Sequence, residues 1–227
     1  MKFDKKDLIG LAAAWAAFVM FTIVVLTVDV QPIGPQESKV GLAGLNSGLQ
    51  AYGYHEGWYL LSELFGYVAL AVAGGFALLG AWQLFKGRSL RAVDKGVWLM
   101  GGFYVLVVFY YVFFEKVVVN YRPVVFEEGL EASYPSSHTM LAICVLFTAV
   151  HQFHYRLKEW PRLRIVATIL CWVVMAETVI CRLLSGVHWL TDIIGGILLS
   201  AALITLYFVA EKWLGTTNKA ANSDPND

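Results

Sequence analysis

Cys181-Arg182-Leu183-Leu184-Ser185-Gly186-Val187-His188-Trp189-Leu190-Thr191-Asp192-Ile193-Ile194-Gly195-Gly196 is the stretch on which the fold turns. It sets an arginine, a histidine and an aspartate between two strongly apolar runs, about residues 163–181 and 189–210. Runs of about 20 apolar residues span hydrocarbon, and they do so as helices because lipid tolerates no exposed irregular backbone at depth. A charge near hydrocarbon costs several kcal/mol, so polar groups at such a junction need a use. His188 and Asp192 are four apart and share one face of the helix that begins there. The carboxylate can accept a hydrogen bond from one imidazole nitrogen, which fixes the tautomer and leaves the other nitrogen free to attack. Gly195 and Gly196 permit close helix packing. The plainer reading is a histidine and an aspartate merely solvated at an interface; Arg182, six residues before His188, weighs against it.

The rest of the chain fits this reading. Of 227 residues, 58% are hydrophobic and 15% charged, and the mean hydropathy is +0.61. A soluble domain has roughly 45–50% apolar and about 25% charged residues. Six apolar runs stand out, at about 8–28, 58–85, 96–114, 137–153, 163–181 and 189–210. The expected fold is therefore all-α, an integral membrane bundle of six transmembrane helices. The first run is longer than the core of a cleaved signal peptide and is expected to be a retained span. Residues 1–214 read as one domain and 215–227 as a polar, disordered tail. Net charge is zero, which gives no electrostatic case for nucleic acid. Cys144, Cys171 and Cys181 have neither disulfide nor zinc spacing and read as small core residues.

Charge placement orients the bundle. With the N-terminus inside, thirteen Lys and Arg fall on inner segments and four on outer ones: Lys39, Lys116, Arg122 and Arg182. The positive-inside rule favours cytoplasmic termini and an outward-facing polar site. The first outer loop, about 29–57, holds a turn at Pro32-Ile33-Gly34-Pro35 and a possible interfacial helix over 42–54.

Two further polar stretches face the same side. Tyr134-Pro135-Ser136-Ser137-His138-Thr139 reads as a helix start. Helix N-termini bind anions, so Ser136 and Ser137 could cradle phosphate oxygens, with His138 as general acid. Alone, the stretch reads better as an ordinary serine cap with a bystander histidine. Lys116 and Arg122-Pro123 supply a point charge and a fork for phosphate, though Lys116 could simply snorkel at a helix end.

Taken together, the three stretches resemble the type 2 phosphatidic acid phosphatase family, whose signature is Lys-x6-Arg-Pro, Pro-Ser-Gly-His and Ser-Arg-x5-His-x3-Asp. Soluble vanadium haloperoxidases are similar at the same positions. This chain departs in three places: Lys116 and Arg122 are separated by five residues, with Glu115 at the family spacing, Ser137 replaces glycine, and Cys181 replaces serine. One residue of helix turns a side chain by about 100°. Lys116 remains the expected phosphate ligand, because an acid would repel phosphate.

The resemblance implies a lipid phosphatase. Lys116, Arg122, Arg182, Ser136 and Ser137 would bind phosphate, His188 would attack phosphorus with Asp192 orienting it, and His138 would protonate the leaving group. No metal or other cofactor is implied. The expected partners are a lipid phosphate (phosphatidic acid, phosphatidylglycerophosphate or a polyprenyl diphosphate) and the bilayer itself. The alternatives are a lipid phosphotransferase using the same site and an anion transporter; the latter is disfavoured because the cations cluster at one face. Glu63, Glu177, His55 and Glu56 are secondary candidates, with Glu177 a possible partner of Arg182. Glu127, Glu128 and Glu131 read as a solvated face, and His151 and His154 fall on the cytoplasmic side.

Overall fold

The computed structural model describes residues 4–50, 53–127 and 129–215. Glu128 and the tail beyond Gly215 lie outside the described residues. The helices are α1 (Lys5–Thr27), α2 (Ala43–Gln50), α3 (Glu56–Gly87), α4 (Lys95–Lys116), α5 (Ser137–Arg156), α6 (Pro161–Leu184) and α7 (Leu190–Leu214). Six of them match the six apolar runs to within a turn at each end, and the short α2 falls inside the expected interfacial segment.

Local chemistry sets the helix ends. Asp4 accepts a hydrogen bond from the Lys6 amide at 3.1 Å, and Asp94 accepts one from the Gly96 amide at 2.6 Å. Each ties down one of the amides that a helix start leaves unpaired. Pro161 opens α6, where its missing N–H costs nothing. Arg88 and Gly215 adopt left-handed backbone where α3 and α7 stop.

α5 and α7 form the centre of the bundle. α5 packs against α3, α4, α6 and α7, and α7 against α1, α2, α4, α5 and α6. The surrounding helices turn large apolar side chains outward, among them Ile23, Leu70, Val105 and Ile169. In water such a surface would be an aggregation hazard; in lipid it is the solvent-facing side. Among the described residues, five helices are long and apolar enough to cross a membrane: α1, α3, α4, α6 and α7. The exception is α5, whose run is interrupted by histidines, threonines and a glutamine.

These polar groups in α5 are met by neighbours. His151 Nε2 lies 2.9 Å from Glu211 Oε1 on α7. Gln152 Nε2 donates to the Tyr207 hydroxyl at 3.2 Å, and Arg156 Nη2 reaches Asp94 Oδ2 at 3.3 Å. At the opposite end, glycines let α7 approach the outer loop. A Cβ on Gly195 would stand 2.4 Å from the Tyr134 ring, and one on Gly196 would stand 2.9 Å from the Ser136 carbonyl oxygen. Tyr134 is in turn anchored to α1 by a 2.7 Å hydrogen bond between its hydroxyl and Thr22 Oγ1.

Gly195→Ala should therefore lower stability by about 1–3 kcal/mol, as overpacking does. Gly10→Ala, which meets nothing within 4 Å, should not lower it. Thermal unfolding in detergent reads the difference, and equal melting of the two variants would contradict the packing described.

Candidate active site

α3, α5 and α7 begin, and α4 and α6 end, at the same end of the bundle. The three polar stretches therefore meet there, joined by the loop 117–136. Backbone bonds fold that loop against α7: Arg122 N donates to Glu131 O at 2.9 Å, Ser133 N to Asn120 O at 2.9 Å, and Ser136 N to Asp192 O at 2.9 Å. Trp189 adds an indole bond to the Tyr121 carbonyl at 2.7 Å.

Asp192 has no exposed surface. Its Oδ2 accepts the Trp189 amide at 2.9 Å, capping the first turn of α7. Its Oδ1 accepts Asn120 Nδ2 at 3.1 Å. His188 Nδ1 stands 3.5 Å from Oδ2, at the outer limit of a hydrogen bond, with the Ser133 backbone also beside the ring. His188 is 3% exposed. Neither ring nitrogen has a well-formed hydrogen bond among the described residues. Burial, reinforced by the positive charges of Arg122 and Arg182, holds its imidazole well below the usual histidine range. A neutral imidazole keeps a lone pair for attack.

Asn120 was not legible as a site residue, since a single asparagine in a loop carries no spacing signal. Its burial at 1% and its bond to Asp192 identify it here. A second asparagine, Asn46 of α2, donates to Thr191 Oγ1 at 3.0 Å and accepts the Thr191 amide at 3.2 Å. The segment between α1 and α3 thereby braces the start of α7.

Arg182 is the largest fully buried side chain among the described residues. Its Nη2 donates to Glu63 Oε1 at 2.7 Å, and its guanidinium lies 5.4 Å from the Tyr59 ring centre. Nε and Nη1 have no partner among the described residues. The expected partner Glu177 is not the acid that meets it; Glu63 is. The same Glu63 oxygen lies 3.3 Å from His138 Nε2, while His138 Nδ1 is buried and unpartnered. Arg122 Nε lies 2.9 Å from Glu131 Oε2, so Glu131 is an ion-pair partner rather than a solvated bystander.

Ser136 is fully buried and caps α5, its hydroxyl accepting the Thr139 amide at 3.5 Å. Ser137 lines both a small cleft with His188 and a cavity of about 230 Å³ with Glu63, Arg122 and His138. Lys116 departs from expectation. It is exposed at the last position of α4 and lines neither space, whereas Glu115 lines both. Both residues are exposed, but the acid, one helical position earlier, is the one that borders the two clefts. His151 and His154 lie at the other end of α5, beside a separate groove.

The His188 environment has a consequence for stability. Below about pH 6.5 the unfolded chain takes up a proton at this position that the folded chain refuses, so the group weakens the fold as pH falls. The melting temperature of His188→Gln should rise relative to wild type between about pH 7.5 and about pH 5.5. A constant difference across that range would contradict an imidazole held neutral.

Residues 113–215 match the model of the PAP2 superfamily. That span opens at the end of α4 and contains all three polar stretches. No curated protein sequence matches the chain. Among solved structures, a transmembrane PAP2-type phosphatidylglycerolphosphate phosphatase from Bacillus subtilis is similar. It superposes with a TM-score of 0.61 at 16% identity, over 90% of this chain and 96% of that one. The C-terminal part of the chain thus matches the PAP2 superfamily, and nearly the whole chain shares the helical-bundle fold of that Bacillus subtilis membrane protein.

Proposed function

We propose that the protein is a lipid phosphatase that cleaves a phosphomonoester or diphosphate at the outer leaflet through a phosphohistidine on His188. The observation that carries this reading is the set of buried, unpartnered nitrogens on His188, His138 and Arg182 at one end of the bundle. Buried polar groups without partners are rare and need an explanation; a phosphate offers acceptors to the donors of Arg182 and His138 and an electrophilic phosphorus to the lone pair of His188.

In this reading Arg182 and Arg122 hold the phosphate oxygens with the amide of Ser137 at the start of α5. His188 Nε2 gives its lone pair to phosphorus as the bond from phosphorus to the leaving oxygen breaks. That oxygen takes a proton from His138. Water then attacks the phosphohistidine, giving its proton to His138 and its hydroxyl to phosphorus as the P–N bond breaks. The net reaction is ester plus water to alcohol plus phosphate. Asp192, held by Asn120 and the Trp189 amide, orients His188 and stabilises the positive charge that forms on it. Arginines and amides offset charge on the phosphoryl oxygens, the term that dominates many phosphoryl transfers.

The cavity between α3, α4 and α5 favours a lipid substrate. Glu63, Arg122 and His138 line it at the outer end, and Leu70, Val107 and Leu141 farther along their helices. A headgroup could enter while its tails remain in lipid. Phosphatidic acid, phosphatidylglycerophosphate and polyprenyl diphosphate all fit this description, and the second is related to the substrate named for the Bacillus subtilis protein. We further infer that α5 is a sixth span, tolerated because four helices shield its polar groups. The termini are cytoplasmic and the site faces outward, by the charge asymmetry of the loops.

Phosphate release from these lipids in detergent tests the proposal. Release should persist in EDTA and fall by about a thousandfold or more in His188→Ala, with Arg122→Ala losing about a hundredfold. Lys116→Ala should change kcat/KM by less than about threefold, the size of an exposed charge effect. Undiminished release by His188→Ala would remove the nucleophile and the proposal with it.

A further inference from the structure

The reaction outlined above gives Asp192 to one histidine and nothing to the other. The second histidine also has a carboxylate, from a helix that lies outside the matched family span. On α3, Tyr59, Glu63 and Gly66 sit four and three residues apart, on one face. All three touch the site. The Tyr59 ring lies 5.4 Å beneath the Arg182 guanidinium. Glu63 Oε1 is 2.7 Å from Arg182 Nη2 and 3.3 Å from His138 Nε2. A Cβ on Gly66 would stand 3.0 Å from His138 Cδ2, so this glycine makes room for the imidazole.

We propose that Glu63 is the positioning residue of the proton-transfer half of the reaction: its carboxylate holds His138 by Nε2, leaves Nδ1 to serve the leaving oxygen, and fastens Arg182 in the same grip. The proposal rests on the phosphatase reading. The site then consists of two histidine–carboxylate pairs, His188 with Asp192 and His138 with Glu63. Their partners differ in kind. Asp192 is buried and bonded on both oxygens by groups that never leave. Glu63 is a quarter exposed and lines the cavity through which a substrate would arrive. A carboxylate beside an imidazole stabilises its protonated form. Here that form is the proton donor to the alkoxide, and the proton returns from the attacking water in the second step.

The consequence is a dependence on leaving group. A lysophosphatidate leaves as an alkoxide and needs the proton. A p-nitrophenyl phosphate leaves as a stabilised anion and needs it far less. General acids contribute about 10²–10⁴-fold where they are needed. Glu63→Gln keeps an acceptor for Arg182 but loses the charge, and should lower kcat/KM, which reports the step that expels the leaving group, at least about tenfold more on lysophosphatidate than on p-nitrophenyl phosphate. His138→Ala should show the same bias, and the double variant should be no worse than His138→Ala, because the two residues act as one unit. Should the glutamine variant fail to fold, Glu63→Asp, which keeps the charge one methylene farther back, should show a smaller bias of the same sign. Equal losses on both substrates, no loss, or losses of the two single variants that multiply would overturn the role of Glu63. Absence of wild-type activity on both substrates, or full activity in His188→Ala, would instead overturn the phosphatase reading beneath it.

Discussion

A guanidinium with no exposed surface, at the end of a membrane helix, demands an anion, and the rest of the site is arranged around meeting that demand. Arg182 finds one carboxylate oxygen on α3 and keeps two nitrogens unpaired. Removing one partner of a buried ion pair typically costs 3–5 kcal/mol, because the other is left uncompensated. The pair therefore fixes the start of α3 against the end of α6. Once α3 is fixed there, Gly66 and Glu63 set where the His138 ring can lie. Two nitrogens of Arg182 have no partner among the described residues, and in the proposed reading a phosphate is the second anion they meet.

The bundle separates two kinds of surface. α1, α3, α4 and α6 present branched and aromatic side chains outward, while α5 and α7 carry polar groups inward. Such groups are costly in hydrocarbon and are tolerated where protein shields them. At the end of α5 away from the candidate site the polar groups are satisfied by neighbours: His151 with Glu211, Gln152 with Tyr207, Arg156 with Asp94. At the site end, His138 Nδ1 has no partner among the described residues. That asymmetry within one helix, with satisfied groups at one end and orphaned ones at the other, separates structural polarity from functional polarity more sharply than residue type does.

Most of the fold was legible because membrane spans are written in hydropathy over about 20 residues. That the three polar stretches gather at one end of the bundle followed from the order and lengths of the apolar runs. Two kinds of information were not available in that way. The first is helix phase: Lys116 and Glu115 are neighbours in sequence, yet only the acid reaches the cavity, and a 100° step decides which one. The second is pairing between distant segments. Glu63 and Arg182 are 119 residues apart, and Asn120 and Asp192 are 72 apart. A lone glutamate in a span signals only that something must compensate it. The sequence nearest to Arg182 suggested Glu177, but packing of α3 against α6 selects Glu63.

The central claim is a covalent bond between phosphorus and His188, and trapping it is the most direct measurement. Protein mixed with a ³²P-labelled lipid phosphate and quenched in alkali within the first turnover should carry label that is stable to base and labile to acid, as phosphohistidine is. Peptide mass spectrometry should place that label on His188. Turnover with no labelled protein at any quench time, or label on another residue, would contradict the account.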